Sequence, residues 1–285
     1  MAKQNVGLRR RLVNWFMTGM AAVFSLIVLM PLFAIFIYLI YKGIGSIDLN
    51  FLTKLPQPVG EKGGGMANAI VGSGVILGIA SAWGIPLGIG AGIYLAEFGT
   101  GKYAQLVRFT ADVLNGVPSI VIGIAVYSLI VLRQGHFSAL SGGVALGIMM
   151  VPTVARTTEE MLLMVPSNVR EAALGLGIPQ WRSTLSISVR TAASGIITGV
   201  MLAFARVAGE TAPLMFTALG NDYWNSDPRQ PTAALPLQIF NYAKSPYDEW
   251  HRQAWAAALV LIVLIFMAVT AVRIVAGRGQ MRHSA

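Results

Sequence analysis

The sequence has few charged residues and contains no cysteine. Without cysteine, neither a disulfide framework nor thiolate ligation of a metal is available to the chain. Its three histidines, His136, His251 and His283, lie far apart and outside any metal-ligand spacing, so we predict no metal site. Charged residues make up 12% of the 285, against roughly 25% in soluble domains. Hydrophobic residues make up 55% and the mean hydropathy is +0.65, so we expect membrane lipid to cover most of the surface.

The chain also lacks the signatures of several function classes. It contains no G-x-x-x-x-G-K-[ST] phosphate loop, so we do not expect it to hydrolyse ATP itself. No cluster of His, Asp and Ser falls within an apolar run, which argues against a membrane-embedded hydrolase. The formal charge of +9 does not indicate nucleic-acid binding, because the basic residues cluster at the ends of apolar runs. We therefore predict a protein that is not an enzyme.

The first apolar run is too long for a cleaved signal peptide. Arg9, Arg10 and Arg11 precede it, as in the basic region of a signal. However, the run covers residues 15–41, well beyond the ~7–15 residues of a signal's hydrophobic core, and it ends without a small-x-small site. We interpret it as a retained first transmembrane helix.

Six apolar runs are each near or above the ~20 residues that a membrane-spanning helix needs. Because they are continuous and do not alternate, they favour helices over barrel strands. The sequence therefore predicts an all-α integral membrane protein with six transmembrane helices. The predicted ranges are 15–41, 68–96, 111–132, 139–158, 192–217 and 253–275.

The basic residues predict the orientation of these spans. Of the 21 lysines and arginines, thirteen fall on the side that holds both termini, among them Lys3 and Arg282, and seven fall on the other. Arg206 is left within the membrane. By the positive-inside rule, both termini are cytoplasmic. The connection at 97–110 and the loop at 159–191 are then also inside the cell.

The 159–191 loop has the pattern of two short helices. Asn168 and Glu171 have the spacing of a capping box at the start of the first helix, and Gly175 and Gly177 are expected to end it. A second helix is predicted from Gln180, with one face formed by Trp181, Leu185 and Val189. Such a unit is either a docking surface for a soluble partner or an amphipathic elbow that rests on the membrane.

An arginine and a glutamate lie at membrane depth in the fifth span. Arg206 and Glu210 are four residues apart, so on a continuous helix they share a face and can pair. Charges at this depth usually face a protein interior or water. The pair is either a structural brace or part of an ion path, in which the guanidinium replaces part of an anion's hydration shell. In a path, Thr211 and Thr217 add hydroxyl donors.

Glycine and proline interrupt three of the predicted spans. The pairs are Gly84 and Pro86, Gly116 and Pro118, and Gly209 and Pro213. Proline breaks the helical hydrogen-bond ladder, so each pair is a candidate hinge or cavity-lining kink. Because both residues are common in membrane helices, each pair is equally a candidate packing device.

The loop and the spans around it resemble a known family. Glu171-Ala172-Ala173, then Gly177 after three residues and Ile187 after nine more, is similar to the EAA loop of importer-type ABC permeases. The runs FARVAGETAP at 204–213, ALPLQIFNYAKSP at 234–246 and NGVPSIVIG at 115–123 resemble the phosphate branch of that family. The resemblance covers residues 66–275. The family pattern usually ends in Leu-Pro, whereas this chain has Val189-Arg190, which leaves open where the next helix begins.

The resemblance implies a type I, MetI-like permease fold and a role in ATP-driven phosphate import. Residues 66–275 would form the permease core with its EAA loop at 159–191. Residues 1–65 would form a tail, the first helix and an outer loop, and residues 276–285 a cytoplasmic tail. Coupling to the ATPase would fall on Glu171, Ala172, Ala173, Gly177 and Ile187, and the substrate path on Arg206, Glu210, Thr211 and Thr217.

The resemblance also implies partners and a location. The partners would be a homologous permease, two ATP-binding subunits that hold ATP and Mg²⁺, and an external phosphate-binding protein. No cofactor is expected on this chain, and the location would be the bacterial cytoplasmic (inner) membrane. Two alternatives stay open: a permease for another oxyanion, such as sulfate or molybdate, and an ion-coupled secondary carrier.

Overall fold

The computed structural model describes residues 7–58, 61 and 63–281. Lys3, Lys62, Arg282 and His283 lie outside the described residues, as do the first part of the N-terminal tail and the end of the C-terminal tail. The described residues are helical, joined by turns and loops, with one isolated bridge between Leu219 and Thr232. The predicted all-α class is confirmed.

Five helical segments are long and apolar enough to cross a membrane within the described part of the chain. They contain α1 (Leu8–Gly43), α3 (Ala67–Ile93), α7 (Ala139–Leu163), α10 (Val189–Ala208) and α13 (Asp248–Met281). Shorter helices lie between them: α2 (Leu49–Thr53), α8 (Ser167–Gly175), α9 (Gln180–Ser183), α11 (Ala212–Thr217) and α12 (Leu235–Ala243). Together with the broken third span, these segments form a multi-pass membrane protein.

The third span is not the single helix predicted at 111–132. Residues of that range belong to α4 (Gly101–Gly116) and to a second helical segment, Ser119–Gln134, and the two segments are bent by 104°. The second segment consists of α5 (Ser119–Val126), a π-helical turn (Tyr127–Val131) and α6 (Leu132–Gln134). Pro118 causes the break, because it lacks an N–H group and pushes Val117 into an extended conformation.

The fifth span ends nine residues before the predicted end at 217. Helix α10 ends at Ala208, residues 209–211 leave the helical path, and α11 begins at Ala212. Pro213 lies in the first turn of α11, where its missing N–H costs nothing. Of the three glycine and proline pairs, the two at 116–118 and 209–213 therefore interrupt helices, whereas α3 continues through Pro86.

The contact between α3 and α7, which run parallel, lies within one of two hydrophobic cores in the described residues. Gly84, Gly88 and Gly92 of α3 are spaced by four and lie directly against α7. Added methyl groups at Gly88 and Gly92 would lie 2.7 and 2.5 Å from side-chain atoms of Val154 and Thr158, so these sites require glycine. Close helix contact through small residues is the usual packing mode in membranes.

Helices α1 and α13 lie at the edge of the bundle and pack against each other. Gly43 touches the backbone of Trp255, and the rings of Tyr38 and Trp255 meet edge to face at 5.2 Å. Most of the large apolar side chains on α1 are exposed in the single chain. This surface suits contact with lipid or with another membrane subunit.

Candidate functional site

The 159–191 loop forms two helices joined by a tight turn, as predicted, but the first helix begins differently. Helix α8 starts at Ser167 directly after Pro166, so Asn168 lies inside the first turn and the predicted Asn168 cap is wrong. The fixed φ of proline already sets the start of the helix.

The turn between the two helices depends on Gly177. This residue has φ +77°, in the left-handed region that favours glycine. The Gly177 N–H donates to the Leu174 carbonyl oxygen at 2.9 Å, and the Ile178 N–H donates to the Ala173 carbonyl oxygen at 3.2 Å. These bonds satisfy the last carbonyls of α8. The predicted role of Gly177 as a helix end is therefore confirmed.

The predicted coupling residues fall into two groups. Ala173 is buried at 3% exposure and Ile187 is half-buried, so both pack within the loop. Glu171, Ala172 and Gly177 are exposed. Around the exposed group lies a patch that we call the coupling surface; its members are Glu171, Ala172, Leu174, Gly175, Leu176, Gly177 and Trp181.

The coupling surface exposes large apolar side chains. Leu176 is 81% exposed and Trp181 is 61% exposed. Large exposed apolar groups beside small residues are typical of a protein interface. The arrangement therefore fits a docking surface.

The departure at Val189-Arg190 has a structural consequence. Helix α9, a π-helical turn (Thr184–Ser188) and α10 form one continuous helical segment, Gln180–Ala208. Because no proline follows Val189, the second helix of the loop runs directly into the fifth span. The coupling surface is thus joined to that span by one continuous helical segment.

Ionic contacts that the sequence analysis did not predict join α4 to the last part of α7. Glu159 is 3% exposed and accepts from Arg108 Nε at 2.6 Å and from Arg156 Nη1 at 3.1 Å. Arg156 Nε also lies 3.0 Å from Asp112 Oδ1. The available signal was the three-residue spacing of Arg156 and Glu159 beside an apolar run. Burial of charge is tolerated here because every member has an opposite partner.

Arg206 lies near the middle of the membrane bundle. Gly195 packs against Met161 and Gly199 against Thr157, so α10 runs antiparallel to α7. Continuing this register places Arg206 level with Met150, close to the midpoint of α7. The side chain is exposed on the surface of the single chain. Its predicted position at membrane depth is consistent with this geometry.

Arg206 and Glu210 do not form the predicted pair. The i,i+4 relation requires a continuous helix, but α10 ends at Ala208 and Glu210 lies beyond Gly209 outside the helix. Across residues 7–58, 61 and 63–281, neither charge belongs to an ion pair. Glu210 is half-buried. The helix break thus separates the two side chains.

Thr211 and Thr217, the two threonines of the predicted substrate path, have different surroundings. Thr217 is fully buried and its hydroxyl donates to the Pro213 carbonyl oxygen at 2.8 Å, so in this structure it is not available to a passing ion. Its own carbonyl accepts from Ser138 N at 3.0 Å, which fixes α11 to the start of α7. Thr211 is half-buried, with its hydroxyl 3.4 Å from the Pro236 carbonyl oxygen. Of the two, Thr211 is the better placed donor.

Comparison with known proteins agrees with this architecture. Residues 84–278 match the profile of the family described as "Binding-protein-dependent transport system inner membrane component". The chain is 47% identical to the phosphate transport system permease protein PstA of Xylella fastidiosa (strain Temecula1 / ATCC 700964), over 93% of both chains. It is 44% identical to the protein of that name from Haemophilus influenzae, over 92% of this chain and 94% of the relative.

Solved structures share the fold. An inward-facing MetNI methionine ABC transporter matches with a TM-score of 0.58 and 17% identity, over 75% of this chain and 94% of the other. At that identity the match supports the fold alone, and it confirms the MetI-like architecture. From the family profile and the close relatives, the chain belongs to the family of binding-protein-dependent transport system inner membrane components and, within it, to the PstA proteins.

Proposed function

We propose that this chain is the permease subunit of an ATP-driven phosphate importer and forms half of its transmembrane pathway. The observation that carries the proposal is the 47% identity to a phosphate transport system permease over 93% of both chains. Since the chain has no phosphate loop, ATP hydrolysis falls to another subunit.

The coupling surface is the proposed contact with that ATPase. Glu171, Ala172 and Gly177 are exposed there, beside the apolar Leu176 and Trp181. Small residues allow another backbone to approach closely, and apolar neighbours favour burial. We assign this contact to one of the two ATP-binding subunits of the PstB type in the complex, with both termini of this chain in the cytoplasm.

The remaining partners complete the importer. A homologous permease of the PstC type would cover the exposed side of α10, where Arg206 lies. An external phosphate-binding protein of the PstS type would deliver the substrate to the outer loops. Tyr223 and Trp224 in the loop after α11 are 76% and 55% exposed and offer aromatic contacts.

Arg206 is the proposed transient contact for phosphate. A guanidinium at mid-membrane depth can replace part of the hydration shell of the anion through bidentate hydrogen bonds. Thr211, in the helix break, adds a hydroxyl. Glu210 stays the proposed gate partner of Arg206. Because the two side chains can pair only if residues 209–211 move, the helix break itself would be the gate.

Reconstitution of the complete complex tests the substrate. ATP hydrolysis in proteoliposomes is expected to rise several-fold when phosphate and its binding protein are added. The reason is that binding at the outer side of the complex is coupled to the distant ATPase site. Sulfate and molybdate at equal concentration are expected to give no such rise. Stimulation by either of these anions in place of phosphate would contradict the proposal. Uptake that persists without the ATP-binding subunits would instead indicate a secondary carrier.

A further inference from the structure

One carboxylate holds the first coupling helix to the inner end of the second span. Glu97 lies in a π-helical turn (Tyr94–Phe98) that continues α3, and its side chain is 6% exposed. Arg170 of α8 reaches it, with Nη2 3.0 Å from Glu97 Oε1. The ion pair is shielded from water, so screening by salt weakens it less than it would a surface pair.

The second coupling helix contacts the same residue. Gln180, the first residue of α9, donates from Nε2 to the Glu97 carbonyl oxygen at 3.1 Å. The Thr184 hydroxyl lies 3.5 Å from Glu97 Oε2. We call this set of contacts the Glu97 tie; its members are Glu97, Arg170, Gln180 and Thr184. Both halves of the coupling loop thus meet at one residue of the second span.

Both ends of the tie lie in π-helical turns. Glu97 is inside the turn Tyr94–Phe98, and Thr184 begins the turn Thr184–Ser188. Such turns are rare and occur mostly at functional sites, because the extra residue shifts the side chains relative to an α-helix. Here the shift occurs on both helices that face each other.

The tie is also joined to the third and fourth spans. The Arg170 guanidinium donates to the carbonyl oxygen of Leu162, near the end of α7. Arg108 of α4 donates to the Leu95 carbonyl oxygen at 2.8 Å, two residues before Glu97, and pairs with Glu159 of α7. A displacement of the coupling helices is therefore passed to α3, α4 and α7 through polar contacts, in addition to the direct connection into α10.

We infer that Glu97 is a positioning residue for energy coupling, which transmits movement of the coupling loop to the second span. The inference rests on the proposed function of the coupling surface. Without the carboxylate, α8 and α9 keep their exposed surface and still bind the ATPase. Their movement, however, displaces α3 less, because only the bond from Gln180 to the backbone carbonyl of Glu97 remains, so fewer ATP molecules are hydrolysed with a matching transport step.

The test uses the assembled complex in proteoliposomes, with phosphate uptake and ATP hydrolysis measured in the same vesicles. Glu97→Gln is expected to lower the ratio of phosphate taken up to ATP hydrolysed by about tenfold. A change of this size lies within the usual range of coupling free energies between distant sites. The amount of co-purified ATP-binding subunit stays unchanged. The matched control is Glu160→Gln, an exposed carboxylate near the end of α7, which leaves the ratio unchanged. A wild-type ratio in Glu97→Gln overturns the inference.

A double mutant shows whether Glu97 and Arg170 act together or independently. If Glu97 and Arg170 act as one unit, Glu97→Gln with Arg170→Gln lowers the ratio no further than the more damaging single variant. Additive losses would mean that the two residues act separately, and would overturn the assigned tie.

A second measurement does not depend on transport. Ser183 in α9 is 4% exposed, and a single cysteine there (Ser183→Cys) is expected to react slowly with maleimide. In the assembled complex, adding Glu97→Gln to Ser183→Cys raises the labelling rate, whereas adding Glu160→Gln does not. Equal rates in Ser183→Cys alone and in both double variants would refute the tie. Absence of phosphate uptake in the wild-type vesicles would count against the proposed function alone.

Discussion

Replacing Arg206 with glutamine is expected to lower phosphate uptake about tenfold to a hundredfold, since each lost hydrogen bond to a charged group is worth about 1.5–3 kcal/mol. Glutamine keeps much of the length of the side chain but removes the charge and the two-pronged donor. The residue lies level with the middle of α7 and is exposed on its own chain, so the substitution leaves the described core intact. Uptake of labelled phosphate into vesicles with equal subunit levels measures the effect.

Two variants control this experiment. Arg206→Lys keeps the charge but loses the planar fork, so its uptake is expected to lie between those of wild type and Arg206→Gln. Arg273→Gln removes an exposed arginine in the last part of α13, and is expected to leave uptake unchanged. Normal uptake by Arg206→Gln would remove Arg206 from the substrate path.

Replacing Gly177 with tryptophan is expected to uncouple transport from ATP hydrolysis, with a loss of uptake of about tenfold or more from coupling between sites. Gly177 has φ +77°, which a bulky side chain adopts only with strain, so the turn between α8 and α9 changes shape. The new indole would also project from the coupling surface, because the space around Gly177 is open. Uptake and ATP hydrolysis are measured together in the reconstituted complex.

The Gly177 variant has matched controls in the same loop. Gly177→Asn is expected to retain most of the activity, since asparagine tolerates the left-handed conformation. Glu160→Gln lies outside the coupling surface, at an exposed position, and is expected to behave as wild type. Unchanged uptake by Gly177→Trp at normal membrane levels would count against docking through this turn.

The sequence predicted most of the spans because hydrophobic runs are a local signal. It did not predict that the helix breaks inside two of those runs. At Pro118 the apolar run continues while the helix turns by 104°, and at Gly209 it continues although the helix ends. Apolar composition measures the depth of a residue in the membrane, and carries no information about the axis of the helix that holds it.

The same limit explains the wrong pairing of Arg206 and Glu210. A four-residue spacing predicts a contact only where the helix is intact, and residues 209–211 interrupt it. Apart from Arg156 and Glu159, the ion pairs and the Glu97 tie found in the structure join residues far apart in sequence. Arg108 and Glu159 are 51 residues apart, and Gln180 and Glu97 are 83 apart. No local pattern encodes such pairs, whereas the turn at Gly177 was predictable because it depends on neighbouring residues.

The central claim is that the coupling surface faces the cytoplasm and binds an ATPase. Because the chain contains no cysteine, a single Gly175→Cys on the exposed surface is a unique label site on it. Membrane-impermeant maleimide is predicted to label it in inside-out vesicles only, and to do so more slowly when the ATP-binding subunits are present. Labelling of this cysteine in right-side-out vesicles would contradict the orientation and, with it, the proposed coupling.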